Sequence, residues 1–205
     1  MHKARRLRLD WKLAAMLFSV SALLLTSATG VAATYRLDKS AKNRAEFQSK
    51  ATLESFGGKS KQIAAEFELD PATLAATRGT VTVDLRSLDT GIELRNKHMR
   101  ENHLHTDSFP TAVFVLDSVR GNNTLEPTGP TELMVYGSMT MHGTSHAIAA
   151  SGTVQTGAKS GTVRLQTEFP LKITDYGIPR PEFLFLKLAE EVKIIVDLTV
   201  EPAPE

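Results

Sequence analysis

Arg78-Gly79-Thr80-Val81-Thr82-Val83-Asp84-Leu85-Arg86 decides the fold. Val81, Val83 and Leu85 share one side of an extended chain, and Thr80, Thr82, Asp84 and Arg86 share the other. That period of two is the signature of a half-buried β-strand. Outward from it, similar runs cover roughly 44–51, 61–69, 111–119, 131–142, 146–157, 161–172 and 191–200. Turn-forming residues separate them: Gly57-Gly58, Asp70-Pro71, Gly121-Asn122-Asn123, Pro127 to Pro130, Gly157 to Gly161, and Pro179 to Pro181. About eight strands with short turns predict an all-β, antiparallel domain, either a sandwich or a closed barrel, rather than βαβ units. With no repeat, low-complexity tract or long linker, residues 34–205 read as one domain.

The alternation breaks after Leu88. Thr90-Gly91-Ile92-Glu93 has the form of a capping box, with Thr90 as N-cap and Glu93 reaching back, which predicts one short helix to about Asn102. On that helix Arg95, His98 and Asn102 fall along one stripe, with Ile92, Met99 and Leu94 available as anchors.

The N-terminus reads as an address. Residues 2–12 are basic, Leu13–Leu25 is apolar, and small residues lead to Val31-Ala32-Ala33. This order predicts a secretory signal peptide over residues 1–33, cleaved after Ala33, and export to a bacterial periplasm. The apolar run is shorter than the ~20 residues a spanning helix needs, which argues against an uncleaved anchor. Arg5-Arg6 raises a twin-arginine route, although Arg8 stands where that signal prefers an apolar residue. Of the chain's 24 Lys+Arg and 23 Asp+Glu, five and one lie in residues 1–33, so the remaining 172 residues hold 19 bases and 22 acids. A mildly acidic domain is no phosphate-binding surface, and nucleic acid is not an expected partner. Cysteine is absent, which removes disulfides, thiolate metal sites and cysteine nucleophiles together.

Histidine is the remaining reactive type. His98, His103 and His105 crowd into eight residues, and imidazole binds zinc, nickel or copper. No acidic or cysteine partner stands at ligand spacing, so neither a metal nor any other cofactor is expected. Four residues of strand would hold His142 and His146 ~13 Å apart unless a tight hairpin at Gly143-Thr144 intervenes. No serine lies in a Gly-x-Ser-x-Gly elbow, and no glycine run forms a phosphate loop. Glu190-Glu191 reads as a solvated edge, and Asn122-Asn123-Thr124 as a hairpin turn. Apolar side chains say more: Met134, Met139 and Met141 join Phe67, Phe114, Phe169, Phe183 and Phe185. Phe183-Leu184-Phe185-Leu186-Lys187-Leu188 is apolar on both faces and suits a buried plug, a pocket wall or a greasy entrance. A closed barrel of about eight strands can either fill its interior or hold one small ligand.

Two groups of motifs resemble the YceI-like family. One is Ser87-Leu88-Asp89-Thr90-Gly91 with Arg95, His98, Arg100 and Pro110 to Phe114; the other is Gly137 to Thr144 followed by Asp175-Tyr176-Gly177-Ile178. The likeness spans nearly all of residues 34–200, with the motifs in family order. It implies a lipocalin-like antiparallel β-barrel that binds polyisoprenoid or other long amphiphilic lipids and is exported to the periplasm. His103 and His105 depart from the acidic or aromatic residues common there, and Met139 replaces the usual leucine.

Both lines together predict a non-catalytic carrier or sequestering protein for a long-chain isoprenoid or fatty-acyl-type lipid, with transient membrane contact. Inward candidates are Val81, Val83, Leu85, Phe114, Leu116, Met139, Met141, Phe169, Leu171 and Phe185. Arg95 and His98 are the candidates for a polar head, because an apolar pocket needs a few placed donors. A structural alternative pairs Arg95 with Asp89 or Asp175. Competing functions are a metal-dependent hydrolase or isomerase on a lipid-like substrate, and a ligand-free stress or interaction barrel. Oligomeric state stays open between monomer and homodimer. One expectation is directly measurable: the exported protein should begin at Thr34 by intact-mass analysis, and a mass beginning at Met1 would support the anchor instead.

Overall fold

The structure is a computed structural model, and it describes residues 32–50, 55–180, 182–183, 186–187 and 189–204. Its strands are β1 (Ala33–Leu37), β2 (Arg44–Lys50), β3 (Ser55–Ser60), β4 (Ile63–Leu69), β5 (Arg78–Asp84) and β6 (Thr111–Gly121). They continue with β7 (Thr131–Met141), β8 (Thr144–Thr156), β9 (Val163–Lys172), β10 (Glu182–Phe183), β11 (Leu186–Lys187) and β12 (Glu191–Pro202). One α-helix, α1 (Glu93–His98), runs on into a π-helical turn over Met99–His103.

The ladder runs β1-β4-β5-β6-β7-β8-β9-β12 and closes because β12 also pairs with β1. All pairs are antiparallel. β12 takes two partners on its second edge: Val192–Asp197 pairs with β2, and Val200–Pro202 with β1. β1 and β2 are therefore one kinked staves-length of chain. β3 and β4, their partners, are likewise collinear, so the closed wall has eight positions. At the kink Thr199, paired with Arg164 of β9, lacks a strand neighbour on its other edge, and Asn43 replaces it. Its Oδ1 accepts from Thr199 N at 2.8 Å, while Asp38 N donates to Thr199 O at 2.9 Å. Beside this seam Asp197 receives the Arg164 guanidinium through both carboxylate oxygens, at 2.8 and 2.6 Å. The arginine's hydrogen bonds hold the Asp197 carboxyl below the usual carboxylate range.

Two strands of the barrel wall were not legible in the alternation, β1 and β3, and neither were the two-residue strands β10 and β11 outside it. Gly57-Gly58, expected as a turn, lies inside β3 opposite Gln48 and Phe47. A Cβ on Gly58 would fall 2.5 Å from the Phe47 ring. Gly79 of β5 sits opposite Phe67, where a Cβ would come within 2.1 Å of the ring. Gly137 of β7, opposite Leu116, lies under the diagonal Phe114 ring, which a Cβ there would meet at 2.5 Å. Three inward phenylalanines thus lie flat along the wall over inward glycines of neighbouring strands, a pairing that relieves the missing side chain in a strand.

The core is split. Tyr35, Leu69, Leu74, Val163 and Val200 anchor one cluster toward the β4–β5 and β6–β7 connections. Leu85, Leu88, Leu171, Tyr176 and Ile178 anchor another at the opposite end. The first end is closed by a short 3-10 turn, Leu74–Ala76, which drops the buried Leu74 into the barrel. Leu74 N donates to Asn123 O, Ala75 N to Asn123 Oδ1, and Leu125 N to Pro71 O. Asn123, expected only as a turn residue, ties two loops into a floor. Replacing Gly79 by alanine should lower stability by about 1–3 kcal/mol, because the Phe67 ring must leave the wall and crowd the interior. Thermal melting checks this; an unchanged midpoint would mean that the ring does not rest on the glycine.

Candidate functional site

Between the two clusters lies a cavity of about 1170 Å³. That exceeds the ~300–1,000 Å³ usual for pockets that take drug-sized molecules. Its wall follows from strand register. Val81 and Val83 of β5 stand beside Phe114 and Ala112 of β6, and Phe114 beside Met139 of β7. Since side chains alternate faces, fixing one inward residue fixes the rest of each strand. Val81, Val83, Leu85, Phe114, Leu116, Met139, Met141, Phe169 and Leu171 all line the cavity, as do Arg95 and His98. Phe185 lies outside the described residues, as do the Phe183 and Leu188 side chains. Met134, grouped with the interior methionines by composition, is on the outer face of β7 and 37% exposed. Phe67, listed among the apolar side chains but not placed inward, also lines the cavity, and the sequence reading missed Phe47, Ile148, Ile194, Val196 and Leu198, which line it too. For the last four the signal was present: β8 and β12 alternate, but alternation alone does not name the inward face.

The opposite end is the mouth, where the 85–110 excursion, the β7–β8 turn and residues 173–180 gather. The excursion is fastened first by backbone: Lys59 and Asp89 exchange two hydrogen bonds of 3.0 Å. Ser87 Oγ then donates to Asp84 O and meets Ser60 Oγ at 2.6 Å. The expected capping box is not formed. Ile92 is the N-cap residue and makes no side-chain cap, while Glu93 pairs instead with Arg100. Thr90 turns inward to Asn96: its N and Oγ1 both donate to Asn96 Oδ1, at 2.8 and 2.7 Å. Asn96 Nδ2 donates to Asp89 Oδ1 at 2.9 Å. This bond and one from Gly91 N keep the Asp89 carboxyl below its ordinary pKa. Asn96, 5% exposed, is therefore the residue that locks the helix down, and burial of an amide requires that its bonds be made. Ile92 and Leu94, expected as anchors, are 51% and 63% exposed at the rim, and Met99 packs inward.

Arg95 has neither Asp89 nor Asp175 as partner. Its Nε donates to Thr90 Oγ1 at 2.9 Å and Nη2 to Thr90 O at 2.8 Å, with the guanidinium 4.8 Å over the Phe56 ring. Nη1 makes no hydrogen bond among the described residues. His98 is exposed at the same rim.

The other histidines have structural partners. His103 meets Pro179 O through Nδ1 at 3.1 Å, and burial pushes its imidazole below the ordinary value. His142 and Gly143 form the two-residue β7–β8 turn, both at positive φ, 51° and 78°. The hairpin expected at Gly143-Thr144 is thus one residue earlier. His142 Nδ1 faces Tyr176 O at 2.9 Å, which leaves Nε2 to accept from His105 Nδ1 at 2.8 Å. His146 Nε2 donates to Asp175 O, with its ring 5.0 Å from Tyr176. Among the described residues no group of three or more His, Asp or Glu is placed to hold a metal ion.

An eight-position antiparallel barrel, closed at one end and fitted with a short helix at the other, encloses a large apolar space. The model of the YceI-like domain matches residues 35–200. The chain belongs to that family. It is 31% identical over 134 residues to a UPF0312 protein of Vibrio cholerae, covering 59% of this chain and 64% of that one. The match thus spans under two thirds of that relative's length. Protein YceI of Salmonella newport is 26% identical over 78% of this chain and 84% of its own. Among solved structures, Burkholderia cenocepacia BcnA superposes with TM-score 0.66 at 22% identity, over 80% of this chain and 98% of that one. A polyisoprenoid binding domain from Saccharophagus degradans gives TM-score 0.65 at 18% identity, over 82% and 98%. These likenesses establish the fold.

The Arg95 geometry makes a prediction. Arg95→Ala removes two hydrogen bonds and a cation–ring contact from the half-buried mouth, and should reduce stability by about 1–2 kcal/mol. Arg95→Lys keeps the charge without the fork and should recover less than half of that loss. Matched thermal melts of the two variants decide; full recovery by lysine would make charge, not the Thr90 bonds, the operative feature.

Proposed function

We propose that the protein is a non-catalytic carrier or sequestering protein for a long-chain polyisoprenoid or similarly amphiphilic lipid, acting in the periplasm after removal of residues 1–33. The observation that carries this reading is the cavity: about 1170 Å³, floored by Leu74, walled by aliphatic and aromatic side chains, and opening beside Arg95 and His98. An apolar chain gains roughly 25 cal/mol per Å² of surface removed from water, so length alone supplies affinity in such a space. A polar end would stay at the mouth, where Arg95 Nη1 and the exposed His98 imidazole offer donors. That the Saccharophagus degradans domain bears the name polyisoprenoid binding supports the ligand class.

A carrier needs no reacting group, and the chemistry at the mouth agrees with one. His103, His105, His142 and His146 each hold a loop to a neighbouring one. The order of basic, apolar and small residues before Thr34 supports export.

Native mass spectrometry of protein purified without added lipid tests the proposal. The expected spectrum contains a complex heavier than the chain by one long-chain lipid, whose mass gives its class. Protein that carries nothing, and that fails to take up added polyisoprenoid alcohol or diphosphate, would overturn it in favour of an empty structural barrel.

A further inference from the structure

The mouth of the cavity holds a cation that no carboxylate answers. Arg95 is half-buried and lines the cavity, yet it makes no ion pair with an acid among the described residues. The acids nearest it in sequence are engaged elsewhere. Asp89 Oδ1 accepts from Gly91 N and Asn96 Nδ2, and Glu93 pairs with Arg100 at 3.0 Å. Glu46, the only acid lining the cavity among the described residues, accepts from Arg44 Nη1 and Gln48 Nε2. The other titratable side chains on the lining are two imidazoles, His98 and His103. A charge removed from water without a partner is costly, so a fold that keeps one at a cavity mouth leaves a place for its counter-charge.

The guanidinium is also held in one plane. Nε donates to Thr90 Oγ1 and Nη2 to Thr90 O, while Thr90 Oγ1 gives its own hydrogen to Asn96 Oδ1. The Phe56 ring lies 4.8 Å beneath, and Phe47 meets that ring edge-on, with centroids 6.0 Å apart and planes at 87°. Thr90 thus occupies the Nε side of the group. A guanidinium carries its N–H donors in a rigid planar fork, so both Nη1 hydrogens and the second Nη2 hydrogen remain. That end of the fork matches two oxygens of one anion. On the reading of the cavity as a lipid site, we infer that the bound amphiphile carries an anionic head, a carboxylate or a phosphate, received by the Nη1–Nη2 edge of Arg95. The edge is preorganised by Thr90 and Phe56, so little side-chain freedom is lost on binding. A neutral hydroxyl accepts one bond there and brings no charge, and it exchanges water for protein with little net gain. An oxyanion accepts two charge-assisted bonds beside an apolar space, where charges attract more strongly than in bulk water.

Displacement of the neutral dye N-phenyl-1-naphthylamine from the purified protein tests this, with dodecanol, dodecanoate and dodecyl phosphate as competitors at about pH 7.5, where both acidic heads are ionised. At least one anion should bind about tenfold or more tighter than dodecanol, and the tighter of the two names the head. Arg95→Lys keeps the charge without the fork and should narrow that gap about threefold or more. Arg95→Ala should close it. Unchanged dodecanol binding shows that each variant is folded, and Arg95→Lys decides should the alanine variant not be. Lys97→Gln removes an exposed cation of the same helix that is away from the lining, and should leave the gap as it is. Dodecanol bound as tightly as both anions would overturn the inference and leave the carrier reading standing. So would a gap that survives Arg95→Ala, or one lost equally in Lys97→Gln. Protein that takes up neither dye nor any of the three amphiphiles would overturn the carrier reading, and this inference with it.

Discussion

The hollow interior depends on where three aromatic rings lie. An eight-stranded barrel is just wide enough for its own side chains to fill, and rings pointing across the lumen would fill it. Phe47, Phe67 and Phe114 instead rest on Gly58, Gly79 and Gly137 of adjacent strands. Each glycine supplies the space that its own Cβ would have taken, so the ring becomes wall. The consequence is a core gathered into two end clusters with a void between, instead of one continuous core. A void of this size carries no dispersion contacts across it, and the fold must be held from its ends and its seam. That is where the side-chain hydrogen bonds concentrate: Asn123 at the floor, Asn43 at the β1–β2 kink, Asn96 at the mouth. Three amides, each joining segments distant in sequence or direction, do what central packing does in a filled domain.

The motif residues at the mouth acquire a mechanical meaning in this light. Asp89, Thr90, Arg95 and Asn96 satisfy one another, with Asp89 also fixed to Lys59 through the backbone. The helix they hold is only six residues long, too short to be stable by propensity alone. Its position over the cavity is therefore set by these bonds and by Met99 packing below. His105 and His142 play the same part on the other side of the mouth. They are the two non-glycine residues at positive φ among the described residues, and their shared hydrogen bond joins the loop before β6 to the β7–β8 turn.

Much of the wall was legible because strand alternation survives wherever both neighbours are strands. β5, β6, β7, β9 and β12 were read close to their observed limits, and resemblance to a known family fixed closure into a barrel. What failed did so for identifiable reasons. β3 reads Ser-Phe-Gly-Gly-Lys-Ser, and glycine pairs signal turns unless a ring from another strand needs their space, which a single strand does not reveal. β1 is five residues with one buried side chain, too short for a period to show. Thr90 and Glu93 have capping-box spacing, but Asn96 competes for the Thr90 hydroxyl from one turn further on. The inward set at Val81, Phe114, Met139 and Phe169 reaches the cavity because alternation gives two faces, and the larger apolar side chains were assigned to the inside. Met134 shows the limit of that rule.

Met134 also shows what the limit means. In a barrel that must stay hollow, the inner face is fixed by lining a void and the outer face by solvent, so an apolar residue outside needs its own cause. Around most of the circumference the outer face follows the solvent rule, with Arg36 and Glu66 or Lys193 and Glu168 side by side. Exposed pairs of this kind add little stability, but they keep a wall in water and discourage contact with its like. From β5 to β8 the outer rows are thinner in charge, with Thr80, Val115, Ser138 and Ala147 side by side, yet Asp117 still accepts from Ser138 and Arg120 lies over Tyr136. Met134 there stands opposite Arg120, whose guanidinium covers the neighbouring Tyr136 ring, so the apolar side chain on the outside lies beside the aliphatic stem of an arginine rather than alone in water.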